Sequence, residues 1–268
     1  MIHGAALVLY VTAFLLWVRF LWRGSQGRPI GAMAVAVVGV VVHGIALGAY
    51  LVQHGELPLV GVGPAFSSMA FVGGLLFIAV LPFRDLARVG IVILPVILLL
   101  QSVGVGAGVE PVAESPVFDG AGFILHVLFA FLGYQALVLA FASGLLYLIQ
   151  FHLLKRKRLG RAFHFIPSLE VLDRLGRVAV WLGFGALSLS LLTGWTWTVP
   201  FRGSLEMGDP KVIWAMVSWG VLATVLLVRR AGERPGHRGA LAAVVGFLAV
   251  ASLYVVLRVT IGAGGLFL

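Results

Sequence analysis

Cysteine is absent from the 268 residues, and charge is scarce: 11% of the chain is Asp, Glu, Lys or Arg, against 61% hydrophobic residues. The first absence excludes disulfides, thiolate metal sites, thiol redox chemistry and attachment of a cofactor through thioethers. The second excludes an ordinary soluble domain, in which roughly a quarter of residues are charged. With a mean hydropathy of +1.09, the chain has too much apolar surface for one core and must use lipid as solvent. Acidic residues number only 10, and none falls in the middle of an apolar run, which argues against an ion pump or a proton-coupled transporter. No Ser-His-Asp arrangement, phosphate-cradling glycine loop or paired-carboxylate core is present, so no catalytic residue is assigned.

Nineteen Lys and Arg residues give a net charge of +9. They fall in short clusters between apolar runs, without the aromatic-interleaved patch of a nucleic-acid binder. The first apolar stretch, "GAALVLYVTAFLLWV", has no basic segment before it and no small-residue cleavage site after it, and reads as a retained span. A span needs about 20 apolar residues. On that rule the sequence predicts an all-α polytopic membrane protein of about eight transmembrane helices, near 2–22, 31–52, 65–83, 89–107, 121–153, 175–197, 211–229 and 239–261. A short helix starting near Pro167 and Ser168 is expected to lead into the sixth span. The chain reads as a single transmembrane domain, 1–268, with no internal repeat.

Arg23 and Arg28, Arg84 and Arg88, Lys155 to Arg161, and Arg229 to Arg238 occupy alternate loops, which the positive-inside rule places on the cytoplasmic side. Both termini are then expected outside, in a plasma (inner) membrane of bacterial type. Glu56, Glu110, Glu114, Asp119, Glu206 and Asp209 fall on the outer side, with Arg202, Lys211 and Arg258 as its cations.

Polar residues inside spans are costly and therefore informative. His43, in "VVVHGIALGAY", and His126, in "GFILHVLFAF", lie within the second and fifth spans at depths expected to agree within several ångströms. Two readings stand. Each imidazole hydrogen-bonds a carbonyl or hydroxyl across helices, or the pair grips one planar metal macrocycle, since imidazole is an axial ligand of haem iron. His54 follows His43 by eleven residues, on nearly the same face and about 16 Å further out; it reads as an interfacial polar residue, and His3 as a weaker case of the same. His152, His164 and His237 sit among cationic residues.

Trp195, Trp197 and Trp214 gather at the expected outer interface, where tryptophan is common. Among them stands Asp209-Pro210-Lys211. Asp caps a helix and Pro opens one, but a cation at a helix N-terminus opposes the macrodipole. Lys211 therefore implies a nearby anion, either Asp209 or an acidic ligand group. Arg202, Lys211 and Arg258 are suited to two carboxylates at a macrocycle edge, although each alone is commonly a snorkelling anchor.

The stretch Gly194 to Trp219 resembles the tryptophan-rich segment of the cytochrome c assembly family, membrane haem handlers of the CcsA and CcmC type. Trp197, Gly203, Asp209-Pro210-Lys211, Trp214 and Trp219 fall on W…G…DPK..W….W without gaps. "LDRLGRVAVWLGFG" and "HVLFAFLGYQAL" are similar to other segments of that family, so the likeness covers about 121–261. The eight-span layout with "VVHGIALGAY" is nearer the smaller HemX-like and YpjD-like members. The resemblance implies a non-covalently held haem b near the outer face, with His126 matching the family's first external-side histidine and His43 the intramembrane histidine of the shorter members. It also implies contacts with membrane lipid, haem and other cytochrome c biogenesis or haem-pathway proteins. The sequence departs from the pattern where Arg202, Glu206 and Gly208 replace family tryptophans, and where Leu227 and "GAGGLFL" lack family histidines. The alternative reading is a non-catalytic membrane regulator or scaffold that keeps the fold without haem transfer; a transporter ranks last, for want of an energy-coupling motif.

Overall fold

The computed structural model describes residues 1–24, 27–82, 90–111, 120–157, 166–202, 208–230 and 235–261. Side chains are described for these residues except 80, 197–202, 210–211, 235 and 257–261. Every regular element among them is helical: α1 (Ile2–Trp22), α2 (Ile30–His54), α3 (Val62–Val80), α4 (Gly90–Ala107), α5 (Ala121–Lys155), α6 (Leu169–Arg202), α7 (Pro210–Arg230) and α8 (Pro235–Ile261). Among the described residues, eight helices are long and apolar enough to cross a membrane. A bilayer leaves no alternative short of a closed barrel, because backbone polar groups in hydrocarbon must be satisfied within the segment.

The boundaries differ from the expected ones chiefly at α6. The short helix foreseen before the sixth span is continuous with it, a single helix of 34 residues. Ser168 precedes its first turn and accepts the Val171 N–H on Oγ at 3.4 Å, and Glu170 lies in that turn, where a carboxylate favours the positive end of the helix. With no proline between Leu169 and Trp181, the cap starts a helix that runs on through Gly176 into the apolar stretch.

The helices form two compact units, one with Met1–Glu114 and Leu153–Val171, the other with Ser115–His152 and Leu172–Phe267. In the first, α1 packs on α2 and α4, and α3 packs on α4 and α2. The buried stripe of α1 is Ala6, Tyr10, Ala13 and Trp17, stepping by four, three and four residues, while Val8, Val11 and Leu15 are exposed to what would be lipid. On α2 the stripe is Ala36, Gly39, Val40, His43, Ala46 and Tyr50. Alanine and glycine on these stripes let helix axes approach closely, the main source of cohesion where lipid is as apolar as the protein. Close approach is required at Gly90, where a Cβ would lie 2.4 Å from the Trp17 ring. α2 ends at Gly55 in the left-handed region (φ 72°), its N–H bonded to Leu51 O at 2.8 Å.

In the second unit the core joins Leu137, Ala140, Val180, Leu187, Leu222 and Val225, with Tyr134, Phe184, Trp214 and Trp219 packed against it. Asp173, on the early turns of α6, bonds Arg229 of α7 at 2.7 Å and Arg177 at 2.8 Å. The Arg229 side chain is only 7% exposed.

Candidate functional site

Each unit carries a polar centre inside its apolar helices. In the second unit it is His126, on the second turn of α5. Its Nδ1 lies 2.8 Å from the carbonyl oxygen of Ser190 on α6. A carbonyl only accepts, so Nδ1 carries the proton and donates. The Ser190 hydroxyl in turn donates to the His126 carbonyl at 3.1 Å. This reciprocal clamp fixes both the ring plane and the tautomer, and leaves Nε2 an unprotonated lone pair without a hydrogen-bond partner among the described residues. That is the form in which imidazole ligates metal, with the other ring N–H held by a carbonyl. Space for the ring comes from Gly194, where a Cβ would stand 2.7 Å from Nδ1. His126 is half-buried. Its donor chemistry therefore fits an iron ligand.

The aromatic residues of this unit differ in surroundings. Trp214 stacks on Tyr134 with ring centroids 4.3 Å apart at 15°, contacts Tyr254 and donates Nε1–H to Val250 O at 3.3 Å. Trp219 donates to Ser188 Oγ at 2.9 Å. Both are thus anchored at their polar ends, while Trp195 is 57% exposed. Asp209 stands at the N-cap of α7, its carbonyl accepting the Ile213 N–H at 3.0 Å, with Pro210 as first helical residue. The side chains of Trp197, Arg202, Lys211 and Arg258 lie outside the described residues, as do Gly203 and Glu206.

In the first unit the polar centre surrounds His43, which is 0% exposed. Its Nδ1 lies 3.2 Å from Tyr10 Oη and its Nε2 2.9 Å from Ser67 Oγ. Ser67 also meets His3 Nδ1 at 3.1 Å and donates to Gln101 Oε1 at 3.2 Å. Gln101 Nε2 donates to the His3 carbonyl at 3.1 Å. Four helices are joined through these five residues. The hydrogen bonds foreseen for a lone intramembrane histidine are present on both nitrogens of His43. Sequence reading passed over Ser67 and Gln101 and set His3 aside. Spacing carried a signal for His3, since His3, Ala6, Tyr10, Ala13 and Trp17 step by three and four residues along one face of α1. His54 closes α2, exposed, with its ring 4.6 Å from that of Tyr50. His152 is exposed and His237 packs on Phe151 at 4.8 Å; His164 lies outside the described residues. Among the described residues no group of three or more His, Cys, Asp or Glu is placed to hold a metal ion.

The profile of the Cytochrome C assembly protein family matches residues 2–262. The chain belongs to this family. It is 24% identical over 266 residues to Cytochrome c biogenesis protein CcsA of Guillardia theta, covering 91% of this chain and 87% of the relative. It is 26% identical over 247 residues to Protein HemX of Bacillus subtilis (strain 168), covering 90% and 88%. Over a shorter stretch of 135 residues it is 31% identical to CcsA of Chlamydomonas reinhardtii, covering 50% and 37%. As a cytochrome c assembly protein with eight membrane-spanning-type helices, the chain is an integral membrane protein.

Proposed function

We propose that this cytochrome c assembly protein binds and handles haem b non-covalently near the outer face of a bacterial-type plasma membrane, with His126 as an axial iron ligand. The observation that carries the reading is the His126 Nδ1–H bond to Ser190 O at 2.8 Å, which leaves Nε2 free as a lone pair. Haem bound there would supply a redox-active iron whose potential is set by axial imidazole and apolar surroundings. The chain's own part is to orient imidazole, offer aromatic surface at Trp195, Trp197 and Trp214, and meet the propionates with Arg202, Lys211 and Arg258, with Asp209 holding the start of α7. His43 of the first unit is the other imidazole that the sequence singles out as a ligand candidate. Because both nitrogens of His43 are engaged, ligation by His43 itself requires one of its two partners, Tyr10 or Ser67, to yield its place.

A visible spectrum of the detergent-purified chain tests this. A low-spin haem spectrum is expected, lost in His126→Ala and retained in His152→Ala. Full haem content in His126→Ala would remove the assignment. The replacement of family tryptophans by Arg202, Glu206 and Gly208 favours a second reading, a scaffold without haem; a folded protein that stays colourless with ample haem selects it.

A further inference from the structure

At the end of α6 away from Trp195, the second unit carries a basic and aromatic arrangement that haem binding does not use. Arg174, Arg177 and Trp181 follow one another by three and four residues, and so share one face of α6. That face is turned out of the protein: the Arg177 side chain is 55% exposed and Trp181 48%. The same exposed face runs on as Leu182, Gly185, Leu189 and Leu192. From Trp181 to Leu192 it extends about 16 Å, close to the ~15 Å of one leaflet's hydrocarbon. Gly185 leaves a gap in the row, since nothing lies within 4 Å of where its Cβ would stand.

α7 ends beside this face in two arginines that part company. Arg229 turns inward to Asp173. Arg230 crosses to α6 and sets its guanidinium carbon over the Trp181 ring, 4.9 Å from the centroid. Trp181 thus has Arg177 one turn along its own helix and Arg230 from the neighbouring one. Charge at this end is unbalanced. Asp173 spends Oδ1 on Arg229 and Oδ2 on Arg177, and Glu170 is the other carboxylate of these turns. Arg174, Arg177, Arg229 and Arg230 against Glu170 and Asp173 leave an excess of two positive charges. The ring contact holds the Arg230 guanidinium without neutralising it, and its N–H groups have no hydrogen-bond or ion-pair partner among the described residues. Nor has the Trp181 indole N–H, whereas those of Trp214 and Trp219 are given to fixed oxygens.

We propose that Arg177, Trp181 and Arg230 form a seat for the headgroup of one anionic phospholipid, such as phosphatidylglycerol, with an acyl chain lying along Leu182 to Leu192. The donors call for an anion rich in acceptor oxygens, and a guanidinium matches phosphate in two parallel bonds. The surplus charge selects an anionic lipid over a zwitterionic one. The exposed apolar row beneath the arginines selects a lipid over free phosphate, which has nothing to lay there. A lone snorkelling arginine needs no second helix; here two helices contribute to one spot.

The test is tryptophan quenching in the full chain reconstituted into phosphatidylcholine vesicles, with a small fixed fraction of either brominated phosphatidylglycerol or brominated phosphatidylcholine. The Trp181 signal is the difference between wild type and Trp181→Phe. Brominated phosphatidylglycerol is expected to be preferred at Trp181 by about 5-fold or more, the effect of one basic residue near an anionic surface. Arg230→Gln should lower that preference to under about 2-fold, with an unchanged unfolding temperature in lipid-free detergent showing that the fold is intact. Arg238→Gln removes the same charge from an exposed position at the start of α8 and should leave the preference in place. Equal quenching by the two lipids in wild type, or a preference that survives Arg230→Gln, overturns the seat. An equal fall in Arg238→Gln also overturns it, because the attraction would then be to net charge alone. Inorganic phosphate added at constant ionic strength should not compete; if it abolishes the preference, the site takes free phosphate and the lipid assignment falls.

Discussion

The two units bury polar groups in apolar helices by different means. The first joins four helices through a neutral network in which each hydrogen has one place to go, centred on Ser67, which gives its single hydrogen to Gln101 and so accepts from His43 Nε2 and His3 Nδ1. The second relies on an ion pair between Asp173 and the nearly buried Arg229, and keeps His126 apart from it on a two-bond clamp. A neutral network costs little to desolvate once every donor has an acceptor. An ion pair costs much to desolvate, and its net contribution is small even though losing one partner is severe. The two devices therefore differ in fragility.

That difference sets the largest expected effect. Asp173→Ala leaves Arg229 without its carboxylate, in a setting where its Nε has no hydrogen-bond partner among the described residues, and should cost about 3–5 kcal/mol. The double change Asp173→Leu with Arg229→Met should recover most of the loss. Thermal unfolding in a fixed detergent checks both; a loss below about 1 kcal/mol in the single variant would mean that the pair is screened. Next comes the neutral network. Ser67→Ala strands the His43 and His3 N–H groups and Gln101 Oε1 at once, for about 2–4 kcal/mol by the same measurement. If it proves harmless, the three groups have found one another, and the network is less strictly wired than its distances imply.

The fold was largely legible in the sequence, because span length and apolar run are the same physical quantity. The joined helix at Leu169–Arg202 escaped, since a capped amphipathic segment and a span look like two elements until no proline is found between them. The site was legible in part. His43 and His126 stood out because a titratable side chain within an apolar run is conspicuous. Ser67, Gln101 and Ser190 did not, because a serine in a membrane helix commonly bonds its own backbone, and neither it nor a glutamine reveals a partner 24 to 98 residues away. Tautomers were beyond reach altogether: they follow from which groups can only accept, and that needs the neighbours.

Gly194→Ala probes the clamp in the second unit without touching charge. The added Cβ would stand 2.7 Å from His126 Nδ1 and 2.8 Å from Cε1, so the ring must move and its bond to Ser190 O must stretch or break. Alanine gains about 1 kcal/mol in helix propensity over glycine, and the lost bond removes about the same, so stability should change by less than about 1 kcal/mol. The change should appear instead in haemin affinity, about 10-fold weaker. Unchanged affinity would show that the clamp is not what presents Nε2.

The smallest effect tests the wiring of the first unit at its far end. Tyr10→Phe removes only the O–H that His43 Nδ1 accepts. The stranded acceptor should cost about 1 kcal/mol, less than Ser67→Ala, because one group is orphaned and not three. Its sharper readout is the tautomer. With Tyr10 present, the Nε2–H form of His43 is held from both sides, by a donor at Nδ1 and an acceptor at Nε2. Without it only the Ser67 side remains, and nitrogen NMR of histidine-labelled protein should show the Nδ1–H form of His43 rising from trace to a measurable fraction. His3 is wired through Ser67 and not through Tyr10, so its Nε2 should stay unprotonated in the same spectrum. If both rings change together, Ser67 is passing its hydrogen between them, and the two imidazoles behave as one coupled group.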